Sequence, residues 1–380
     1  GHSLPMITTT RVRFTLLSSP FLTIPHRQAM TSQEQRQRPC RNAVSRRALL
    51  MAGLGSLPSL LPGAAAARTH KQARADKSLR ILTFAGCIAQ TQSKILFKPY
   101  EHLTHQSIMP QGWTGELPDL QHFANPPHHT PAAAMMESSS LRLGCTLKLL
   151  SRHQTDTSSS NCGLPSASID YAMAWDKARF ESTPSWSDFW DVARHPGRRS
   201  LRRDPRLTLE IALLADGVPA NALYRVLGTV DGVRRAFLKL EQLRPYIVWW
   251  STPEEAGQIL TSGGALMGCV PTGEILGAAD TIRQRFGLYW QQRFIVQYGW
   301  GVLASAATNP AALAFVSWLE QAAQQQAFAN AWPSLPSMVE LSTLAPGVAR
   351  IPPATTLDDI FWENNLVTLS DRFQQWIRRT

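Results

Sequence analysis

Residues 184–217 read PSWSDFWDVARHPGRRSLRRDPRLTLEIALLADG, and this stretch decides the fold because a strand pattern in it passes directly into a helix pattern. Residues 199–203 form an apolar-basic strand candidate, and Leu or Ile then recurs at positions 207, 209, 211, 213 and 214. Asp204 suits the N-cap of that helix and Pro205 its first position, because proline lacks only an amide hydrogen that the first turn cannot use. The stretch therefore predicts a strand that leads into a helix whose N-terminus opens on a cleft.

The same stretch resembles the second-lobe segment of polyamine-type periplasmic solute-binding proteins of ABC transporters, the spermidine/putrescine-binding group. Four further segments stand in that family's order: LRILTFAG (79–86), CGLPSASIDYAMAWDKARF (162–180), IVWW (247–250) and FWENN (361–365). The resemblance covers about 300 residues, from residue 79 to the C-terminus. It implies an α/β, two-lobed periplasmic-binding-protein fold of type II, with a mostly parallel sheet in each lobe and hinge crossovers.

The resemblance also implies how the chain divides into lobes. The expected segments are an N-terminal extension and signal (1–67), the first part of lobe one (68–168), the main part of lobe two (169–296), a return to lobe one (297–333) and a C-terminal segment packing on lobe two (334–380). Apolar spacing predicts a first strand over residues 79–84 and a helix over 89–103. It also predicts one Ala-rich helix over residues 310–330 and a C-terminal helix over 357–379.

The positive charge of the chain is concentrated near its start. Of the net charge of +11, residues 1–67 carry +7, which leaves +4 for the rest and gives no basic surface that would favour nucleic-acid binding. Arg46 and Arg47 stand directly before an apolar run, residues 48–67, that ends in four alanines. This pattern predicts a twin-arginine export signal and a periplasmic location without a lipid anchor. A membrane anchor is the alternative, but Gly and Pro interrupt the run.

The cysteines and histidines do not predict a metal site. No CxxC or Cys/His ligand spacing is present, and His128-His129 has no third ligand in view. We therefore expect no metal and no cofactor. The resemblance places Cys145 and Cys162 where relatives often carry cysteine, so they are a possible disulfide in an oxidising compartment. The alternative is two buried free thiols.

The resemblance further implies a set of ligand-binding residues. Asp204 falls on a family aspartate, but Leu207 stands where spermidine binders have glutamate. Pro271-Thr272-Gly273 replaces a family Trp-Asn-Gly motif, with Glu274 next to it. The candidate ligand-binding residues are Asp204, Tyr298, Trp300, Trp332, Trp362, Glu363 and Phe84. A cation–π and carboxylate site of this kind suits an amine. For each aromatic residue the alternative is a place in the core.

The expected function is that of a monomeric, non-enzymatic receptor. It would bind a small cationic or zwitterionic solute, a polyamine such as putrescine or spermidine, between its lobes and deliver it to the permease of an ABC importer. Arg202, Arg203 and Arg206 around a helix N-terminus favour an anionic or amino-acid ligand instead. Loss of binding is a further alternative, because prolines in residues 125–131 break a family strand. An exported hydrolase is disfavoured, since no GxSxG, HExxH or phosphate-loop motif occurs.

Overall fold

The computed structural model describes residues 78–123, 130–152, 161–332 and 352–379. The predicted export signal, the linker up to residue 77, and His128 and His129 lie outside the described residues. Within the part of the chain that is described, no helix is both long and apolar enough to cross a membrane.

One mixed sheet forms the centre of the molecule. Its strands are β1 (Leu79–Thr83), β2 (Ile108–Gly112), β3 (Ala133–Glu137), β4 (Pro165–Asp176), β5 (Arg199–Arg202), β6 (Ile247–Trp250), β7 (Met267–Pro271), β8 (Phe286–Val302) and β9 (Thr355–Thr356). Their order across the sheet is β2-β1-β3-β8-β4-β7-β5-β6, and β9 pairs with β8.

Helices alternate with these strands. They are α1 (Cys87–Gln92), α2 (Lys98–Thr104), α3 (Leu117–Phe123), α4 (Ser138–Thr146), α5 (Trp186–Trp190), α6 (Pro205–Ala215), α7 (Leu223–Leu227), α8 (Val230–Leu243), α9 (Pro253–Thr261), α10 (Thr272–Leu276), α11 (Asp280–Arg285), α12 (Pro310–Leu319), α13 (Ala322–Ala331) and α14 (Asp359–Arg378). A π-helical turn, Ser93–Phe97, joins α1 to α2, so the helix predicted over residues 89–103 is continuous but not uniform.

Two long antiparallel strands, β4 with 12 residues and β8 with 17, connect the two sides of the sheet. β3 pairs with residues 298–302 of β8, whereas β7 pairs with residues 171–175 of β4. We call β1, β2 and β3 with the helices that follow them the β1 side, and β5, β6 and β7 with theirs the β5 side. Neighbouring strands are parallel within each side.

The stretch at residues 184–217 forms α5, β5 and α6. Ser185 and Asp188 make a capping box at the start of α5. β5 and α6 are buried at every residue, which is the behaviour of a helix that is apolar all round. Gly217 ends α6 with φ 87°, and the next amide, of Val218, donates back to a carbonyl of the last turn. This stretch is therefore the core of the β5 side.

The Ala-rich segment predicted as one helix over residues 310–330 is two helices, α12 and α13. The chain breaks at Gln321, which is extended with φ −70° and ψ 144°. The Gln325 side chain donates to the carbonyl of Glu320 at 2.8 Å, so a side chain satisfies the opened turn. The single-helix prediction was wrong because neither Gly nor Pro marks this break.

The predicted C-terminal helix is α14, and it contacts both sides of the molecule. Trp376 donates to Glu241 of α8 on the β5 side at 2.6 Å. In the other direction Glu363 pairs with Arg142 of α4 on the β1 side, also at 2.6 Å. α14 therefore packs on the β5 side and also contacts the β1 side.

Candidate functional site

The carboxyl ends of the parallel strands from the two sides meet in the middle of the molecule. Phe84 follows β1 and Glu137 ends β3 on the β1 side, while Arg202 ends β5 and Trp250 ends β6 on the β5 side. Open α/β sheets bind ligands outside such strand ends. We call the junction between the two sides the cleft.

Four charged side chains meet in the cleft, and we call Glu137, Arg202, Asp204 and Arg206 the ion cluster. Arg206 donates two hydrogen bonds to Asp204, from Nε to Oδ1 at 2.9 Å and from Nη2 to Oδ2 at 2.7 Å. Its Nη1 lies 3.2 Å from Glu137 Oε2. Arg202 pairs with Glu137 through Nη2 and lies 3.7 Å from Asp204 Oδ2. All four side chains are buried, so two positive and two negative charges neutralise one another away from water.

The two arginines keep Asp204 ionised. Burial alone would raise the pKa of Asp204, but Arg206 and Arg202 hold that pKa well below its usual range. Burial acts to lower the pKa of Arg206, and Asp204 and Glu137 overcome this and raise it. Asp204 is thus a charged residue whose charge is already used by its neighbours.

Arg206 also ties the two sides of the cleft together. Its Nη1 donates to the hydroxyl oxygens of Ser140 at 2.8 Å and Ser139 at 3.2 Å. Both serines lie in α4 on the β1 side, whereas Arg206 belongs to α6 on the β5 side. The cleft is therefore closed at this point.

The backbone after Asp204 departs from the predicted helix start. Asp204 is extended and accepts from the amide of Arg206 at 2.8 Å, as an N-cap does. Arg206 (ψ 140°) and Leu207 (φ 68°, ψ −46°) are not helical, so regular helix begins only after Leu207. A positive φ at a leucine costs about 1–3 kcal/mol. The predicted helix start at Pro205 was therefore wrong. The non-helical turn before the regular helix allows the Arg206 side chain to reach both Asp204 and α4.

Aromatic side chains lie beside the ion cluster. The hydroxyls of Tyr298 and Tyr171 are 2.7 Å apart, and the ring of Phe84 meets Tyr298 edge to face with centroids 5.5 Å apart. Tyr171 stacks on Trp250 at 6.1 Å, and the Arg202 guanidinium lies 6.0 Å from the Trp250 ring centroid. Two of these four aromatic residues, Phe84 and Tyr298, are among the candidates from sequence. Tyr171 and Trp250 were missed, although both lie in the family segments 162–180 and 247–250.

The other predicted aromatic residues have different surroundings. Trp300 packs edge to face against Phe97 at 6.1 Å, as a core side chain does. Trp332 stacks on Phe328 at 6.0 Å and reaches the β5 side, since a Cβ added to Gly273 would come 2.3 Å from its ring. Trp332 therefore touches the cleft, and Trp300 lies behind it.

Trp362 and Glu363 are not brought to the ion cluster. Trp362 is fully buried and donates through Nε1 to Glu210 Oε1 of α6 at 2.7 Å. Burial raises the pKa of Glu210 to about 7 against its hydrogen bonds, which lower it. Glu363 pairs with Arg142 instead of facing the aromatic group. Both residues hold α14 in place.

A second group of polar side chains lies at the start of α10, and we call Glu254, Glu274 and Trp332 the acidic corner. Glu274 is buried, and burial together with the nearby Glu254 raises its pKa to about 8. Among the described residues, Glu274 Oε1 and Trp332 Nε1 have no hydrogen-bond partner. Glu254 reaches the β1 side, because a Cβ on Gly86, whose φ is 78°, would come 2.8 Å from its Cγ. In the sequence, Glu274 stands next to the altered family motif, but it was not predicted to bind ligand.

The remaining predictions concern metals and cysteines. In the four described ranges, no three His, Cys, Asp or Glu side chains are arranged to hold a metal ion. Cys145 and Cys162 are joined in a disulfide with Cα atoms 5.5 Å apart, and Cys269 is a buried free thiol. The disulfide links α4 to the segment that enters β4.

Comparison with known sequences gives a consistent result. The family model described as bacterial extracellular solute-binding protein matches residues 108–352. The Gamma-aminobutyric acid-binding protein of Pseudomonas aeruginosa is 30% identical over 337 residues, which cover 83% of this chain and 94% of that protein.

Solved structures share the fold. MotA, a periplasmic binding protein of A. tumefaciens B6 solved with glucopine, superposes with a TM-score of 0.68 at 19% identity and covers 79% of this chain and 99% of its own. The Atu4243-GABA receptor gives a TM-score of 0.62 at 22% identity and covers 80% and 98%. At such identities the likeness concerns the fold. It confirms the predicted α/β fold of type II periplasmic binding proteins.

Proposed function

We propose that this chain, which belongs to the family of bacterial extracellular solute-binding proteins, binds γ-aminobutyrate or a similar amino acid with well-separated charges. As a member of that family it is a periplasmic receptor of an ABC importer, and it is not an enzyme. The finer parts of the proposal are the ligand, the residues that hold it and export through the twin-arginine signal.

The ligand class is supported first by similarity. The Pseudomonas aeruginosa relative, named for γ-aminobutyric acid, matches most of both chains. This favours the amino-acid alternative over the polyamine that the sequence resemblance suggested.

The charges in the cleft support the same choice. A diamine needs a free carboxylate near each ammonium group. Here Asp204 and Glu137 are already paired with Arg202 and Arg206, so the ion cluster has no anion to spare. An amino acid needs one cation and one anion, and the cleft has a candidate for each.

The single observation that carries the proposal is a pair of buried, unsatisfied groups, one a guanidinium and the other a carboxyl. Within the described chain, Arg202 Nη1 and Glu274 Oε1 lack hydrogen-bond partners. Arg202 ends β5 and Glu274 follows β7, and these strands are parallel neighbours, so both groups lie at one sheet edge. We assign the ligand carboxylate to Arg202 and the ammonium to Glu274, with Tyr171 and Trp250 beside the methylene chain.

The test is calorimetric titration of the exported chain with γ-aminobutyrate, putrescine and spermidine. We expect heat of binding with γ-aminobutyrate and little with either polyamine. Tight polyamine binding would favour the polyamine ligand that the sequence resemblance implies. If the folded protein binds no small solute, the chain is a family member that has lost ligand binding.

Two variants test the residue assignments. Arg202→Gln should weaken γ-aminobutyrate binding by at least about tenfold, because a charge-assisted bond to the carboxylate is lost. Arg203→Gln is the matched control, since Arg203 is the exposed next residue. Glu274→Gln should weaken binding by a similar factor. Equal affinities of Arg202→Gln and Arg203→Gln would remove Arg202 from the site.

A further inference from the structure

Each side of the cleft offers a glycine to a side chain of the other side. A Cβ added to Gly273, on the β5 side, would overlap the indole of Trp332 and lie 2.6 Å from its Cε2. A Cβ added to Gly86, on the β1 side, would lie 2.8 Å from Cγ of Glu254 and 2.9 Å from its Cβ. Nonbonded carbon atoms prefer separations of about 3.5–4.0 Å. Both contacts therefore depend on the absence of a side chain at the glycine.

Trp332 is held in place from the β1 side. It directly follows α13, which packs against α1 and the π-helical turn Ser93–Phe97. The indole is 3% exposed and stacks on Phe328, with the ring centroids 6.0 Å apart and an angle of 8° between the planes. The ring therefore has little freedom to move aside for an additional atom at position 273.

Gly273 belongs to the β5 side and stands next to the carboxyl group assigned to the ligand. α10 begins at Thr272, directly after β7, and Glu274 follows Gly273 in the chain. The Trp332 indole thus rests on the backbone that presents Glu274. The contact joins the two sides of the cleft at the acidic corner, whereas Arg206 joins them at the ion cluster.

We propose that Trp332 is a positioning residue for ligand binding, and that its contact with Gly273 holds α10, with Glu274, against the β1 side. This inference rests on the proposed function, because it takes Glu274 to bind the ammonium group of the ligand. Trp332 then acts through the backbone of α10, whereas the sequence resemblance implied that it contacts the ligand itself. The lack of a side chain at Gly273 is what allows the two sides to meet here.

Gly273 is better suited to a test than Gly86. The φ of Gly86 is 78°, so alanine there would strain the backbone whatever the space. Gly273 lies in α10 without a positive φ, and alanine favours a helix more than glycine does. Gly273→Ala should therefore leave both sides folded, while its methyl group keeps Trp332 away from α10. Gly228→Ala is the matched control, at an exposed helix end where the added Cβ would come no closer than 3.1 Å to another residue.

The first measurement is calorimetric titration of the exported chain and its variants with γ-aminobutyrate. We expect Gly273→Ala to weaken binding at least about tenfold, because the methyl group would overpack a fixed ring. Gly228→Ala should leave the affinity unchanged. In a Trp332→Ala background, Gly273→Ala should cause no further loss, since the ring that it displaces is absent. A loss of the same size in that background would overturn the proposal.

Small-angle X-ray scattering tests the same contact without a ligand. If Trp332 cannot rest on α10, the two sides move apart, so Gly273→Ala should have a larger radius of gyration than Gly228→Ala. The double variant Gly273→Ala/Trp332→Ala should return to the smaller value. Equal radii for the two glycine variants would overturn the proposal. Failure of the wild-type protein to bind γ-aminobutyrate would contradict the function proposed above, whereas the scattering comparison would still decide whether Trp332 and Gly273 hold the two sides together.

Discussion

The ion cluster and the acidic corner are two groups of ionisable side chains in the same cleft, and they differ in how their acids are compensated. In the ion cluster every carboxylate faces a guanidinium, with Arg206 bound to Asp204 at 2.7 Å and 2.9 Å. In the acidic corner Glu274 faces only another acid, Glu254, and one of its oxygens lacks a partner among the described residues. The carboxylates of the ion cluster are thus paired with cations, whereas Glu274 is not.

This difference separates Arg206, whose bonds are all made within the protein, from Glu274, which has no cation beside it. Burying a charge without a partner is costly, and proteins tolerate it mainly where function requires it. A compensated cluster contributes to structure, because removal of one partner leaves the others uncompensated. We therefore treat Arg206 as the residue that closes the cleft and Glu274 as a ligand-binding residue.

The largest expected effect comes from breaking the ion cluster. Arg206→Met should lower the free energy of unfolding by about 3–5 kcal/mol, because Asp204 and Glu137 would remain buried with one guanidinium fewer. Chemical denaturation measures this loss. Arg203→Met, one exposed residue before Asp204, is the control and should change stability by less than about 0.5 kcal/mol. Equal losses in the two variants would show that burial of the cluster has been misjudged.

The fold could be predicted from the sequence, because the alternation of strands and helices depends on short apolar patterns that stand out along the chain. The stretch at 184–217 contained β5 and α6, and the boundary residues Ser185 and Gly217 do what their types favour. The turn at Leu207 could not be predicted, since positive φ is rare for leucine and only the surrounding bonds of Arg206 hold it.

The site could be predicted only in part, because ligand residues depend on which strand ends come together. Tyr298 pairs with Glu137 across the sheet and Phe84 packs on Tyr298, so both lie near the ion cluster, while their part in ligand binding stays a prediction. Glu137 itself was not predicted, although an acid that directly ends the apolar run AAAMM is a recognisable signal. The pairing of Trp362 with Glu210 was invisible, since these residues lie 152 positions apart.

The pH dependence of stability should differ between the wild-type protein and Glu274→Gln, whose side chain stays neutral. The Glu274 carboxyl keeps its proton to about pH 8 in the folded protein and loses it near pH 4.5 when unfolded. The folded state therefore binds more protons, and stability falls as pH rises between these values. From pH 7 to pH 8 wild type should lose about 1 kcal/mol, whereas Glu274→Gln should lose less. Glu210, whose pKa is about 7, also loses protons in this range in both proteins, so the difference between wild type and Glu274→Gln isolates the contribution of Glu274.

A ligand should complete the acidic corner and so change its protonation. If the ammonium group of γ-aminobutyrate binds Glu274, it favours the ionised carboxylate, and binding at pH 7 should release about one proton. Calorimetry in buffers of different ionisation enthalpy measures this number. Glu274→Gln should reduce it to near zero. Binding without proton release in wild type would place the ammonium group elsewhere.

The smallest loss of stability is expected from replacing Arg142, which forms a more exposed ion pair with α14 than Arg206 forms in the ion cluster. Arg142 and Glu363 join α4 to α14, and their 2.6 Å contact is as short as those in the ion cluster. Their side chains are 35% and 17% exposed, so water screens the pair, and Arg142→Gln should cost only about 0.5 kcal/mol, less at high salt. Arg234→Gln, which removes an exposed pair within α8, is the control. Arg142 links α4 to α14, and Arg206 links α6 to α4. The difference in stability loss between their variants therefore measures what burial adds to such an ion pair. A loss above about 2 kcal/mol for Arg142→Gln would mean that the exposed pair also holds the cleft closed.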